Sequence, residues 1–190
     1  MDKIKVGIIG TGGISRWHQK TYIQVGGFET IAVCDIIKQK ALQAAEEWGV
    51  PKKHAFTSYN KMLEMDEIDA VSVCTYNQGH RRPVVAALQA GKHVFCEKPM
   101  AVTLADATAM VRAAKAAGKI LQIGIHNSFS PELRFAKRAV DEGVLGEITM
   151  PKRQAVGGAA SPDTPSSTKK RQALAQLSTS ASTTCTMRCL

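Results

Sequence analysis

A glycine-rich turn directly after the first apolar run has the residue types and spacing that bind a diphosphate. Residues 10–15 read GTGGIS, which fits the pattern G-x-G-x-x-small with Ser15 in the last position. Gly10 permits a tight turn, Gly12 lets backbone N–H groups approach a diphosphate without a Cβ in the way, and a small residue at 15 lets the next helix pack closely on the strand. The N-terminus of that helix adds a positive dipole and free N–H donors. The turn predicts a dinucleotide site with contacts from Gly10, Gly12, Gly13 and Ile14.

An acidic residue lies where the ribose of such a ligand would be recognised. Asp35 ends the second apolar run, and a carboxylate there accepts hydrogen bonds from the two ribose hydroxyls of an adenosine. A 2′-phosphate would meet a like charge, which favours NAD. Lys38 lies close enough in sequence to compensate such a phosphate, so NADP stays open. Asp35 has a second interpretation, as a cap for the following helix.

The segments that must position these residues alternate between two patterns. Five short, almost wholly apolar runs predict β-strands, at residues 4–10, 30–36, 69–75, 93–97 and 120–125. Their lack of alternation is typical of parallel strands covered on both faces. Amphipathic segments predict helices at 13–25, 38–48, 77–90, 103–117 and 131–142, several followed by a glycine that suits a helix C-terminus. The expected fold is α/β, a doubly wound parallel sheet (a Rossmann dinucleotide-binding fold) over residues 1–150.

Further motifs give this fold a family resemblance. Residues 91–100 read GKHVFCEKPM, residues 73–80 read VCTYNQGH, and residues 143–148 read GVLGEI. Together with GIIGTGGIS near the start, they resemble the N-terminal domain of the Gfo/Idh/MocA oxidoreductases, the glucose–fructose oxidoreductase and inositol dehydrogenase family. The resemblance covers residues 1–150.

The resemblance implies roles for particular residues. In that family the E-K-P tripeptide lies beside the nicotinamide, which assigns a catalytic role to Lys98 and cofactor contacts to Glu97 and Lys98. Thr75, Asn77 and His80 match the loop on the nicotinamide side and are expected as cofactor contacts. A Lys ammonium at the carboxyl edge of a parallel sheet can hydrogen-bond the reacting hydroxyl and stabilise the charge that develops on its oxygen. Lys98–Pro99 is expected to be cis, as is usual in the family.

Two residues of the first helix allow a structural and a functional interpretation. Trp17 and His18 fit the family's helix that packs under the cofactor. A tryptophan and a histidine on an amphipathic helix are, however, more often part of the core, and this is the interpretation we adopt for both.

The composition changes after residue 150. Residues 151–190 contain six Ala, six Ser and six Thr but no Phe, Trp, Tyr or Ile, so they bury too little apolar surface to offset their ordering entropy. We expect a disordered basic tail. The family continues instead into a second domain that binds the sugar and often forms the oligomer interface, and it carries a catalytic helix with an Asp and a His.

A shift of reading frame would explain this difference. One choice of codons for residues 176–183 (QLSTSAST), read from its third base, encodes Ala-Leu-Asp-Ile-Gly-Val-His, which resembles that catalytic helix. We hypothesise that residues 151–190 are an out-of-frame tail in place of the substrate domain, which would leave the chain weakly active or inactive.

Composition and charge exclude several classes of protein. The 190 residues are 44% hydrophobic with a net charge of +9, values of an ordinary globular protein. No stretch reaches the roughly 20 apolar residues of a membrane span, and no signal-peptide pattern begins the chain, so we expect a cytoplasmic protein without a membrane partner. The five cysteines have no metal-binding spacing, so no metal is expected and the thiols should be reduced and mostly buried.

The positive charge does not by itself indicate a nucleic-acid partner. Six of the Lys and Arg residues, against one acidic residue, lie in 151–190 with no aromatic residue among them for base stacking. Two functions therefore remain. The first is an NAD(P)-dependent oxidoreductase of sugars, polyols or related secondary alcohols; the second is a non-catalytic dinucleotide-binding module.

Overall fold

Six parallel strands form one sheet in the part of the chain that the computed structural model describes, residues 2–144 and Gly146. The strands are β1 (Ile4–Ile9), β2 (Phe28–Cys34), β3 (Ala55–Phe56), β4 (Ala70–Val73), β5 (His93–Cys96) and β6 (Leu121–Ile123). They pair in the order β3-β2-β1-β4-β5-β6, with every neighbouring pair parallel. This is the strand order of a doubly wound dinucleotide-binding sheet, so the predicted fold class is confirmed.

Helices connect the strands. They are α1 (Gly13–Val25), α2 (Lys38–Trp48), α3 (Tyr59–Leu63), α4 (Arg81–Gln89), α5 (Leu104–Ala117) and α6 (Pro131–Asp141). The side chain of Thr103 caps α5 by accepting a hydrogen bond from the Asp106 N–H, and Ser130 caps α6 from the Leu133 N–H. In α5 and α6 a short polar side chain thus takes up a first-turn N–H group.

The observed helices and strands differ from the predicted ones at several points. The predicted helix 77–90 is a short 3-10 turn (Asn77–Gly79) followed by α4, with His80 between them. The strands also end one or two residues earlier than their apolar runs, because the last residues of each run turn away from the sheet to line its carboxyl edge. β3 and α3 were not predicted, since two and five residues are too few to carry a periodic pattern.

The core lies on both faces of the central strands. Ile8 of β1 and Val73 of β4 are fully buried, as are Leu88 of α4 and Met110 of α5, which cover one face. Burying a side chain of this size contributes about 1.5 to 3 kcal/mol. The four strands β2, β1, β4 and β5 are thereby held in fixed register, which fixes the loops at their carboxyl ends.

Several expectations concern residues that the structure does not describe. The basic tail at 151–190, the reading-frame hypothesis and the predicted domain boundary at 150 lie outside the described residues, as do three of the six residues of the GVLGEI motif at 143–148. The compact unit that contains the sheet ends at Glu142. In the described part of the chain, no helix has the length and apolar character needed to cross a bilayer.

Candidate functional site

The carboxyl ends of β1, β4 and β5 lie side by side and form the candidate site. The strand order reverses between β1 and β4, and ligands of doubly wound sheets bind in the crevice outside that point. The backbone ties the loops together there: Cys74 N donates to Ile9 O at 2.8 Å, and Glu97 N donates to Val73 O at 3.0 Å. The glycine turn, the loop after β4 and the turn after β5 therefore share one edge.

The glycine turn fits against the loop after β4 only because Gly10 has no side chain. Its φ is +90°, and a Cβ there would lie 2.7 Å from the carbonyl oxygen of Cys74. Nothing lies within 4 Å of the position of a Cβ on Gly12 or on Gly13. Gly12 has an ordinary φ of −78°, so its backbone does not demand glycine, and the missing side chain leaves open space outside the turn.

The start of α1 faces that space with its N–H groups free of side-chain caps. Gly12 is the N-cap of α1 and provides no side-chain hydrogen bond, whereas Thr103 and Ser130 cap α5 and α6. The buried Ser15 packs under the turn, and its hydroxyl donates to Gly12 O at 2.6 Å. Uncapped N–H groups beside a space without Cβ atoms fit a diphosphate, and Ile14 lies exposed beside them.

Asp35 is linked directly to the glycine turn. Its Oδ2 accepts hydrogen bonds from the backbone N–H and the hydroxyl of Thr11, both at 3.0 Å, and its Oδ1 accepts from Ile37 N at 2.9 Å. Ile37 precedes α2, whose N-terminus has no side-chain cap, so the structure does not support the interpretation of Asp35 as a helix cap. The contribution of Thr11 was missed by the sequence analysis, because the motif leaves its second position free.

The hydrogen bonds of Asp35 determine its charge. Partial burial favours the protonated carboxyl, but the bonds from Ile37 and Thr11, together with the charge of Lys40, outweigh that effect and hold the pKa of Asp35 below its ordinary value. The cation that acts on Asp35 is Lys40; compensation of a 2′-phosphate by Lys38 stays a prediction. An ionised carboxylate with free lone pairs can still accept from ribose hydroxyls.

Lys98 follows β5 at the same edge of the sheet. Its side chain is exposed, and within residues 2–144 its ammonium has no ion-pair or hydrogen-bond partner. Its backbone N–H donates to Glu97 Oε2 at 3.1 Å, and the Lys98–Pro99 peptide bond is cis, as expected. The ammonium is therefore free to contact a ligand in the crevice.

Glu97 also reaches α1, a contact that the sequence did not indicate. Its Oε1 lies 2.8 Å from His18 Nε2, and the two side chains are 12% and 9% exposed. The imidazole also packs edge-on against Phe95 and Tyr22. His18 thus belongs to the interior and links the dinucleotide-binding helix to the turn of Lys98.

Trp17 differs from its neighbour on α1. Its side chain is 67% exposed, so its expected place in the core is wrong. Consecutive residues of a helix point in different directions, and of these two side chains it is that of His18 which faces the sheet.

The three predicted contacts in the loop after β4 have different environments. Thr75 is half-buried, and Asn77 is exposed at the start of the 3-10 turn; both stay predicted cofactor contacts. His80 is fully buried, with Nδ1 2.8 Å from Pro99 O and Nε2 3.0 Å from Thr75 O. Both of its ring nitrogens are thus occupied by the chain itself, which favours a positioning role over contact with a cofactor.

The cysteines near the site are inert. Burial, with a smaller effect of Asp35, raises the pKa of Cys34 to about 12; burial, with a smaller effect of Glu97, raises the pKa of Cys96 to about 12. Burial also raises the pKa of Cys74. A thiol acts as a nucleophile only when ionised. Among the described residues no group of three or more His, Cys, Asp or Glu side chains is placed to hold a metal ion.

Comparison with known protein families matches residues 4–125 to the model of an oxidoreductase family with an NAD-binding Rossmann fold. The chain is 34% identical over 149 residues to inositol 2-dehydrogenase of Salmonella typhimurium, a match that covers 77% of this chain and 44% of the relative. It is 32% identical over 144 residues to myo-inositol 2-dehydrogenase of Thermotoga maritima, covering 76% of this chain and 42% of the relative. The chain thus spans less than half the length of these relatives.

Solved structures of dehydrogenases and oxidoreductases match a similar share of the chain. The WlbA dehydrogenase of Bordetella pertussis, crystallised with NADH and UDP-GlcNAcA, superposes with a TM-score of 0.71 at 32% identity, covering 76% of this chain and 43% of that one. An aldose-aldose oxidoreductase of Caulobacter crescentus gives a TM-score of 0.69 at 33% identity, covering 76% and 44%.

Proposed function

The chain belongs to the Gfo/Idh/MocA oxidoreductase family, and from that premise we propose that it takes part in the NAD-dependent oxidation of a secondary alcohol of a sugar or polyol, with Lys98 as a catalytic residue. The observation that carries the proposal is the free, exposed ammonium of Lys98 at the carboxyl edge of β5. It shares that edge with the uncapped glycine turn. No described side chain neutralises it, so its charge is available to a ligand.

Each part of the crevice has a separate task in this proposal. NAD, when bound, supplies the hydride acceptor. The N–H groups at the start of α1 bind the diphosphate, and Asp35 accepts hydrogen bonds from the adenosine ribose. Thr75 and Asn77 line the nicotinamide side. Glu97 orients the Lys98 turn through the Lys98 N–H. Because Asp35 is ionised and a 2′-phosphate would meet its charge, we expect NAD to bind more tightly than NADP.

Lys98 acts on the reacting hydroxyl of the substrate. Its ammonium donates a hydrogen bond to that oxygen and stabilises the negative charge that grows there as the hydride leaves the adjacent carbon. The proton of the hydroxyl needs an acceptor, and in the family this is the His of the second domain. The names of the relatives, among them inositol dehydrogenases and an aldose-aldose oxidoreductase, support polyols and sugars as the substrate class.

Oligomerisation and cellular location are two further parts of the proposal. In the family the second domain often forms the oligomer interface, and we propose oligomerisation for a protein that contains that domain. Cys34, Cys74 and Cys96 are free thiols, which suits the reducing cytoplasm.

Binding and turnover test the proposal separately. NADH and NADPH binding would be measured by calorimetry, and NADH production by absorbance with a panel of inositols and aldoses. Lys98→Met should lose at least about 100-fold in turnover, the effect of removing one charge-stabilising donor, and should lose less in NADH affinity than in turnover. Lys61→Met, on the exposed surface of α3, is the matched control.

The outcomes distinguish the two candidate functions. Turnover that Lys98→Met does not reduce would show that Lys98 has no catalytic role. NADH binding without turnover of any substrate in the panel would favour the dinucleotide-binding module.

A further inference from the structure

His80 is the largest buried polar side chain near the crevice, and both ends of its ring contact the backbone. Its exposed fraction is 0%. Nδ1 lies 2.8 Å from the carbonyl oxygen of Pro99, and Nε2 lies 3.0 Å from the carbonyl oxygen of Thr75. Both distances are those of well-formed N–H···O hydrogen bonds. The ring therefore bridges two loops that are far apart in sequence.

The chemistry of the two partners constrains the ring. A carbonyl oxygen only accepts hydrogen bonds, so the imidazole is the donor in its hydrogen bonding to these loops. A substitution at position 80 that carries no donor therefore removes that hydrogen bonding.

The two carbonyls belong to the two sides of the candidate nicotinamide site. Thr75 begins the loop after β4, and Pro99 directly follows Lys98. The backbone N–H of Lys98 donates to the Glu97 side chain. The backbone on both sides of Lys98 is thus held by side chains, Glu97 before it and His80 after it. His80 also fixes the distance between this backbone and the loop of Thr75.

We propose that His80 is a positioning residue whose ring ties Thr75 to Pro99 and thereby sets the width of the nicotinamide side of the crevice. This rests on the proposed function insofar as Lys98 and NAD meet in that crevice. It assigns His80 an effect on NAD affinity and turnover through the two loops, without contact to either ligand.

Charged and titratable groups lie on each element that His80 joins or borders. Glu97 and Lys98 follow β5, and Cys74 precedes Thr75. Arg81, next to His80 on α4, pairs with Asp106 of α5 at 3.3 Å. Glu97 and Asp106 are the acidic groups of this set, and Asp106 pairs with Arg81.

The experiment compares two substitutions of similar size in the full chain. His80→Gln keeps an N–H₂ group that can donate, whereas His80→Leu fills the space without a donor. NADH affinity would be measured by quenching of the intrinsic fluorescence, and folding by thermal melting. His54→Leu is the control, because His54 contacts only one carbonyl, that of Ile31 at 3.1 Å, away from the crevice.

The expected results separate positioning from a purely structural effect. His80→Leu should weaken NADH binding about tenfold or more, the effect of losing the buried hydrogen bonding that ties the two loops together, while His80→Gln recovers part of that loss. His54→Leu should bind NADH within about twofold of the wild type. Nitrogen-15 NMR of the wild-type chain should show a ring N–H of His80 that is protected from exchange, because it is buried and donates to a backbone carbonyl.

Two results would overturn the proposal. One is a nitrogen spectrum in which no ring N–H of His80 is protected from exchange. The other is a folded His80→Leu chain with wild-type NADH affinity. If His80→Leu does not fold, the spectrum and the Gln variant still decide. If the wild type binds no NADH, the proposed function fails, while the spectrum continues to test the bridge itself.

Discussion

Replacing Gly10 and Gly12 by alanine, one at a time, should separate folding from cofactor binding within a single turn. At Gly10 the added Cβ would lie 2.7 Å from the oxygen and 2.8 Å from the carbon of the Cys74 carbonyl. These are backbone atoms of a buried strand end, so they cannot swing away as a flexible side chain would. At Gly12 nothing lies within 4 Å of the new atom.

The magnitudes follow from these two environments. Gly10→Ala places a Cβ at a φ of +90°, which costs about 1 to 2 kcal/mol for an L-residue, and overpacking against fixed atoms adds about 1 to 3 kcal/mol. We therefore expect a loss of about 2 to 5 kcal/mol in the free energy of unfolding. Gly12 has a φ of −78°, so Gly12→Ala should change that free energy by less than about 0.5 kcal/mol.

Binding should follow the opposite order. The Cβ of Gly12→Ala would occupy the open space that a diphosphate approaches, so NADH affinity should fall at least about tenfold, equivalent to about 1.4 kcal/mol. Urea denaturation, followed by tryptophan fluorescence, gives the stability, and NADH titration of the folded chain gives the affinity. A Gly10→Ala chain as stable as the wild type, or a Gly12→Ala chain with wild-type NADH affinity, would refute the geometric argument.

Three further predictions follow from the site. Asp35→Asn should destabilise the chain at pH 7, because the folded state lowers the pKa of Asp35. That stabilisation is present above the carboxyl's ordinary pKa and is lost as pH falls through the folded value, so the difference between the urea midpoints of variant and wild type should shrink as the pH is lowered; a difference that stays constant would contradict this. His18→Phe should cost about 1 to 3 kcal/mol in stability, since Glu97 loses a nearly buried hydrogen bond; equal urea midpoints for the two chains would show that the contact contributes nothing. Iodoacetamide at pH 8 should not label the buried thiols of the native chain, which are Cys34, Cys74 and Cys96. The labelled positions would be mapped by mass spectrometry, and labelling of any of the three before unfolding would show that it is accessible.

Local patterns were sufficient to predict much of the fold and part of the site. The glycine turn was recognisable because its φ and its lack of Cβ atoms are properties of single residues at fixed spacing. The five longer strands and the helices other than α3 were recognisable because burial of an element on one face or on both produces a characteristic spacing of apolar residues. Asp35 was found in the same way, since it lies at the end of an apolar run, whereas the E-K-P tripeptide was found by its resemblance to the family motif.

Other features depended on which segments become neighbours. The order of the strands brings the loop after β4 against Gly10, so that the need for glycine there comes from a carbonyl 64 residues away in the chain. His18 was interpreted as a core residue, but its partner Glu97 is contributed by another strand. His80 was expected to contact the cofactor, whereas its ring lies inside the fold between two carbonyls.

The physical reason for this division is the range of the interactions involved. Backbone conformation and one-sided burial are determined by a residue and its near neighbours, and they can be inferred from the sequence alone. A hydrogen bond between buried groups is determined by the packing of the whole sheet, because the partner is whichever polar atom the strand order places opposite. The sequence therefore determined that a dinucleotide-binding turn and a lysine lie at the ends of strands, and only the tertiary structure decided which side chains hold them in place.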